Sequence, residues 1–309
     1  MDNIKVDAVI TWVDGNDEKH RTKMLPYLDD VSKINSIKLR TRYDHVNEIK
    51  YTVDSILKFA PFIRKIFILT DNQIPIFLKK SINNKRYRKI KVVDHQEIFE
   101  GYERYLPTFN SISIETAIFK IKDLSEHFIY FNDDIFLTNP TVPTDFFKNG
   151  LPILRGKWLQ FDNNRLIKKY NKKRIGHKNA QQLAAQIIGF EKYYRFKHTP
   201  HPIRKSTLQS YFDEHSQLFK ENIKYRFRNP KQFIPQGMAN HLEIKNNNCY
   251  LEKDFNLVYI RSYNKPLSWY KFKMNIMSKK KLFLGLQSLD QSPQHILSFL
   301  LHWLKNRVT

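Results

Sequence analysis

Asn132-Asp133-Asp134 sits between two apolar runs, Phe128–Phe131 and Ile135-Phe136-Leu137. Adjacent carboxylates at the end of a strand suit Mg2+ or Mn2+, hard cations that take oxygen ligands and bridge substrate phosphates. Thr11-Trp12-Val13-Asp14-Gly15-Asn16-Asp17 reads as a strand entering a polar turn, with Gly15 where a left-handed backbone is favoured. Backbone N–H groups, an aromatic and two carboxylates in one turn could hold a base, ribose or diphosphate; an ordinary turn beside a core tryptophan is an equal alternative. Glu115 lies between Ile112 and Phe119 at helical spacing, an unusual place for an acid. It either reaches the N-terminal end of its helix or flanks the buried face. His198-Thr199-Pro200-His201-Pro202 puts two imidazoles on a stiffened backbone, and histidine is the natural acid–base near neutral pH; a structural loop is the other reading. Arg226-Phe227-Arg228 offers guanidinium groups, which grip phosphate oxygens bidentately.

The elements that must position these groups are clearest in the first half. Val6–Val13, Ile66–Thr70, Ile90–Val93 and Phe128–Phe131 are short continuous apolar runs, as expected of strands covered on both faces, and each leads into an aspartate. Helices are expected from about Val46 to Phe59, capped by Asp44, and from about Ser111 to Leu124. Strands alternating with helices predict an α/β fold with a mainly parallel sheet and flanking helices. In such a sheet ligands bind outside the carboxyl ends of the strands, where these aspartates would gather. Asp also favours turns, which is the plainer account of any one of them.

Charge divides the chain. Residues 1–150 carry 23 basic and 21 acidic residues, whereas 151–309 carry 30 and 9. The second region reads as basic and mostly helical, with helices near 180–190 and 205–222, a basic tract over 155–180 and an amphipathic segment from about Pro293 to Arg307. The cleanest boundary is near Gly150–Pro152, dividing the chain into 1–150 and 151–309. Aromatics at 14% exclude a disordered chain, and the single cysteine, Cys249, excludes a disulfide framework. No signal peptide or spanning segment is expected, which makes a cytoplasmic location the default. Walker, GxGxxG, GxSxG and HExxH patterns are absent.

Taken together, these segments resemble the Stealth family of sugar-1-phosphate transferases, which includes bacterial capsule and exopolysaccharide phosphotransferases. The first family block resembles Val6–Asp17. The second resembles Arg42-Tyr43-Asp44 with Asn47–Tyr51, Ala60–Ile66, Thr70–Pro75, Val93–Phe99, Leu106–Ser111, Ile114-Glu115 and Phe128–Phe136. The third resembles His198–Pro202 with Arg228, and the fourth is represented only by Phe283–Asp290. The resemblance implies Glu115, Asp134, His198 and Arg228 as the catalytic set. It also implies a nucleotide-sugar-transferase-like fold, a divalent cation and a UDP-sugar donor.

On that resemblance Asp133 and Asp134 are expected to hold Mg2+ or Mn2+. Thr11, Trp12, Asp14, Gly15, Asp17, Arg42 and Asp44 are expected against the nucleotide. His198 would take the proton of an acceptor hydroxyl, Arg228 would stabilise phosphate oxygens and Glu115 would orient His198 or the metal shell. The acceptor would be a glycan or lipid-linked polysaccharide, with no part for nucleic acid. Two alternatives stand beside this: a metal-dependent glycosyltransferase releasing UDP, and a non-catalytic polyanion or membrane-surface binding protein. The segment 293–309 is expected to pack on the core or to lie on an anionic inner membrane face.

Overall fold

The computed structural model describes residues 4–30, 46–80, 84–162 and 176–308. Arg42, Asp44 and most of the basic tract, Arg165 to Arg174, lie outside the described residues.

The four apolar runs form strands β1 (Val6–Thr11), β2 (Ile63–Thr70), β3 (Ile90–Asp94) and β4 (His127–Asn132). They pair in parallel in the order β3-β2-β1-β4. Side chains alternate across this sheet. Phe128 and Tyr130 enter one apolar core, while Ile129 and Phe131 enter the other. Both faces are therefore covered, which is why these strands read as unbroken apolar runs. Register places Thr11 opposite Asn132, so β1 and β4 end level with one another.

The helix Glu48–Phe59 packs Ile49, Val53 and Ile56 against one face. Asn47 precedes it with φ of 63°. The second expected helix is shorter than its pattern suggests. It runs from Ser111 to Thr116, followed by a 3-10 turn at Ile118–Lys120. Its sequence alternates Ser with Ile and ends in Thr, and the Thr116 hydroxyl donates back to the Ile112 carbonyl at 2.6 Å. Such back-bonding competes with continuation of the helix.

Among the described residues after 150, helices alternate with strands that the sequence pattern did not announce. After β5 (Ile135–Leu137) and β6 (Phe147–Lys148) come β7 (Leu151–Gln160), β8 (Lys192–Phe196), β9 (His201–Arg204), β10 (Tyr250–Glu252), β11 (Leu257–Ile260) and β12 (Phe283–Leu286). Between them lie helices His177–Ile188, Lys205–Glu214, Ser216–Ile223, Pro235–Lys245 and Leu267–Phe272, with Gln294–Val308 last. β9 completes the central sheet antiparallel to β4, β12 pairs with β5 and β6 with β7, so strands from both regions share all three sheets of the described residues. β7 carries β8 and β6 antiparallel and β10 parallel. The aromatic–basic run Tyr193–Phe196 lies in β8, with Tyr193, Tyr194 and Phe196 inward and Arg195 exposed. Helix Gln294–Val308 packs Ile296, Leu300 and Leu304 on a third core with Leu284 and Leu286. Among the described residues no helix is long and apolar enough to cross a membrane.

Candidate active site

Tyr130 faces the same core as the helix Ser111–Thr116, which brings its hydroxyl to Glu115. It donates to Glu115 Oε1 at 3.1 Å and lies 2.9 Å from Thr11 Oγ1. Gln236, in the first turn of helix Pro235–Lys245, donates from Nε2 to Glu115 Oε2 at 2.9 Å. Glu115 is only 5% exposed, and burial raises its pKa despite these donors and the nearby Arg228.

Because β9 runs against β4, the segment entering β9 lies over the carboxyl end of the central sheet. His201 stands opposite Tyr130 in the register, and His198 lies just ahead of it. The His198 ring lies 4.4 Å from that of His177 and 5.8 Å from that of Tyr259. Burial and the guanidinium groups of Arg228 and Arg261 lower the pKa of His198 to about 4, and burial with His198 lowers that of His201 to about 3. Both imidazoles are therefore neutral at pH 7, each with one ring nitrogen open to accept a proton.

Arg228 follows helix Ser216–Ile223 in a segment stitched to the start of helix Ser111–Thr116. The Phe109 N–H donates to the Arg226 carbonyl, Asn110 Nδ2 donates to Tyr225 O, and Arg228 donates to Ser111 Oγ at 2.8 Å. Its guanidinium remains exposed.

Asp134 lies in the turn between β4 and β5, where its carbonyl accepts from the Leu286 N–H at 3.1 Å. Desolvation, then the carboxylates of Asp133 and Glu48, raise its pKa well above the usual range. Glu48 is itself pushed up to about 7 by burial and Asp133. Among the described residues no three His, Cys, Asp or Glu side chains form a ready-made cage for a metal. Mg2+, however, is commonly held by one or two carboxylates, with phosphates and water completing its shell. Crowded carboxylates whose charge is unfavourable together fit that role.

Glu115, Asp134, His198 and Arg228 all line one cavity of about 460 Å³, drawn from four separate stretches of chain. Two helices open onto it without a side-chain cap. Gly176 precedes His177–Ile188, Ile234 precedes Pro235–Lys245, and Gly176, His177, Ile234 and Gln236 are in the lining. Uncapped N–H groups at helix starts favour anions.

The predicted nucleotide residues lie differently. Thr11 reaches the cavity only through Tyr130, and Trp12 is buried in the core behind the sheet. The Asp14 turn is closed by Gln73, whose amide bonds both the Asp14 N–H and its carbonyl. Gly15 does not adopt positive φ; among the described residues the glycines that do are Gly101, Gly150 and Gly189. Asp17 caps helix Glu18–Met24 by accepting from the His20 N–H. Asp133 adjoins the cavity without lining it. Tyr130, His177, Gln236, Tyr259, Gln287 and Ser288 also line the cavity and were not among the expected site residues. The signals available were the hydroxyl of Tyr130 inside an apolar run, and Gln236 directly after a helix-starting Pro235.

Residues 5–32 match Stealth protein CR1, conserved region 1, and residues 42–153 match Stealth protein CR2, conserved region 2. His198 and Arg228 lie beyond both matched regions. The capsular polysaccharide phosphotransferase fcs1 of Haemophilus influenzae is 38% identical over 76% of this chain and 65% of its own length. The receptor polysaccharide phosphotransferase WefC of Streptococcus oralis is 33% identical over 73% of this chain and 74% of its own. The capsular polysaccharide phosphotransferase of Neisseria meningitidis serogroup B is 39% identical over 48% of this chain, which spans 39% of that protein. Among solved structures, the galactosyltransferase LgtC in complex with donor and acceptor sugar analogs covers 98% of this chain and 95% of its own at 11% identity and a TM-score of 0.44. A likeness this loose assigns no chemistry.

Proposed function

The chain belongs to the Stealth family, and from that premise we propose that it is a polysaccharide phosphotransferase moving a sugar-1-phosphate from a UDP-sugar to a hydroxyl of a glycan acceptor. The acceptor oxygen attacks the sugar-proximal phosphorus, the anhydride bond to the other phosphorus breaks, UMP leaves and a phosphodiester forms. We read the parallel sheet as of the nucleotide-sugar-transferase (GT-A) kind, with the donor along its carboxyl edge.

The observation that supports this most is the convergence of Glu115, Asp134, His198 and Arg228 on one cavity with two uncapped helix starts. Phosphoryl transfer asks a protein chiefly for positioning and charge stabilisation. His198, neutral at pH 7, accepts the acceptor's hydroxyl proton. Its basicity is held down by burial and then by Arg228 and Arg261, and an anionic donor lying against the two guanidinium groups offsets their share. Arg228 and the helix N–H groups stabilise the phosphoryl oxygens. Glu115, clamped by Tyr130 and Gln236, fixes the polar wall beside them.

Asp134, with Asp133 and Glu48 beside it, would hold Mg2+ or Mn2+. A bound cation there would neutralise diphosphate charge. The proposed setting is the cytoplasmic side of the membrane, with a glycan or lipid-linked polysaccharide as acceptor. Incubation with a panel of UDP-sugars, Mg2+ and glycan acceptors, read by mass spectrometry, tests the reading. UMP release with a phosphodiester product is expected, and UDP release would replace it with simple sugar transfer.

A further inference from the structure

Residues 255–289 contain seven cationic side chains and no Asp or Glu. Of the seven, Lys281 pairs with Asp254. Arg261, Lys265, Lys271, Lys273, Lys279 and Lys280 form no ion pair with a described residue.

The middle of this segment is helix Leu267–Phe272, continued by a π turn over Lys273–Met277 and a 3-10 turn over Ser278–Lys280. Tyr270 and Met274 point inward and are fully buried. The outward positions of a surface helix are ordinarily polar. Here they carry Phe272 and Ile276, 51% and 46% exposed, one turn apart. Lys271, Lys279 and Lys280 are exposed around them, and Lys273 lies over the Trp269 ring.

This exposure is not fraying. Asn139 Nδ2 donates to the carbonyls of Ser278 and Lys281, Thr138 donates to Lys281, and Arg307 of the last helix holds Asn139 Oδ1. Helix Gln294–Val308, whose amphipathic pattern first suggested a membrane face, turns Ile296, Leu300, Leu304 and Val308 inward and shows His295, Ser298, His302 and Lys305 outward.

We infer that the surface around Phe272 and Ile276 docks this protein onto an anionic lipid bilayer, the two apolar side chains entering the interface and the lysines meeting headgroups. Cations alone would suit any polyanion, whereas outward apolar side chains ringed by lysine suit a bilayer. The segment joins β11, which carries Tyr259 of the cavity wall, to β12 and Gln287 of the same wall. Docking would therefore hold the cavity near a lipid-linked acceptor, a consequence that rests on the proposed function. The docking itself does not depend on turnover.

Co-sedimentation with vesicles, without substrate, tests it. Wild type is expected to bind phosphatidylcholine vesicles containing one third phosphatidylglycerol, not phosphatidylcholine alone, and to be released by salt. Phe272→Ser with Ile276→Ser should weaken binding about tenfold. Replacing Lys271, Lys273, Lys279 and Lys280 by Gln should weaken it about a hundredfold or more. Unchanged thermal midpoints would show that both variants fold. Equal binding to neutral vesicles would overturn the inference. So would a Ser double variant that binds anionic vesicles and heparin as wild type does, which would indicate a soluble polyanion. Absence of UMP release would defeat the phosphotransfer reading and leave docking untouched.

Discussion

Replacing Tyr130 by Phe isolates the polar clamp on Glu115. The ring is 1% exposed and packs in the larger core, so Phe keeps the shape and removes only the hydroxyl. That hydroxyl bridges Thr11 Oγ1 at 2.9 Å and Glu115 Oε1 at 3.1 Å. A hydrogen bond to a carboxylate contributes about 1.5–3 kcal/mol, and in a chain of this size that lowers the thermal midpoint by about 3–6 °C. The sign of its pH dependence follows from Glu115. Burial already raises its folded pKa above the unfolded value, so stability is lost as pH rises through that folded pKa. Losing a donor to the charged form raises it further. The deficit should therefore be smallest in acid and widen toward alkaline pH. If Glu115 works as a carboxylate, the acid limb of kcat/KM for UMP release should also move to higher pH. Calorimetric melts across pH, paired with initial rates, measure both. A deficit independent of pH, with a superimposable kcat/KM profile, would refute the role given to Tyr130 and the ionised role of Glu115.

Asp134→Asn should abolish transfer yet raise the thermal midpoint above neutral pH by about 2–6 °C, because it removes a desolvated charge facing Asp133 and Glu48. Added Mg2+ should raise the midpoint of wild type and not of this variant, measured by calorimetry with and without chelator. His95 is 2% exposed with its Nε2 unpaired, and burial lowers its pKa to about 4 from 6.5. Its stabilising neutral form is complete above about pH 6.5 and lost as pH falls toward 4. His95→Phe should therefore shift the acid-unfolding midpoint, followed by circular dichroism, to lower pH, by up to roughly 3 kcal/mol of relative stability.

What could be read in advance depended on how far apart the interacting residues lie. The four parallel strands were legible because a strand buried on both faces needs a local run of Val, Ile and Phe, whatever its neighbours are. β7 was not, since Leu151–Gln160 contains Pro152, Arg155, Gly156 and Lys157 and is paired only partly inside the core. Gly156 has a specific task there. A Cβ would meet the Tyr194 ring at 2.4 Å, a contact made with a strand almost forty residues away. The site follows the same rule. Glu115 stood out because an acid in an apolar row is locally anomalous. Gln236 did not, because a glutamine beginning a helix is ordinary until its amide meets Glu115, 121 residues earlier in the chain.

Separation along the chain also explains how the cavity manages its charge. A count of side chains gives it two carboxylates, three imidazoles and a guanidinium: Glu115, Asp134, His177, His198, His201 and Arg228. Packing moves the acids and the imidazoles in opposite directions. Both carboxylic acids are raised and all three imidazoles are lowered, desolvation being the largest cause in every case. Burial thus favours the neutral form of five of these groups, while Arg228 stands exposed. A diphosphate entering such a site brings most of the charge with it, and the groups able to answer it by ionising or taking a proton already line the walls. The pairing of β9 with β4 sets the imidazoles beside the acids, carrying His198 and His201 over the strand that carries Tyr130 and leads to Asp134. The steep division of charge along the chain is, at the cavity, closed by that antiparallel pairing together with the hydrogen bonds of Gln236 to Glu115 and of Arg228 to Ser111.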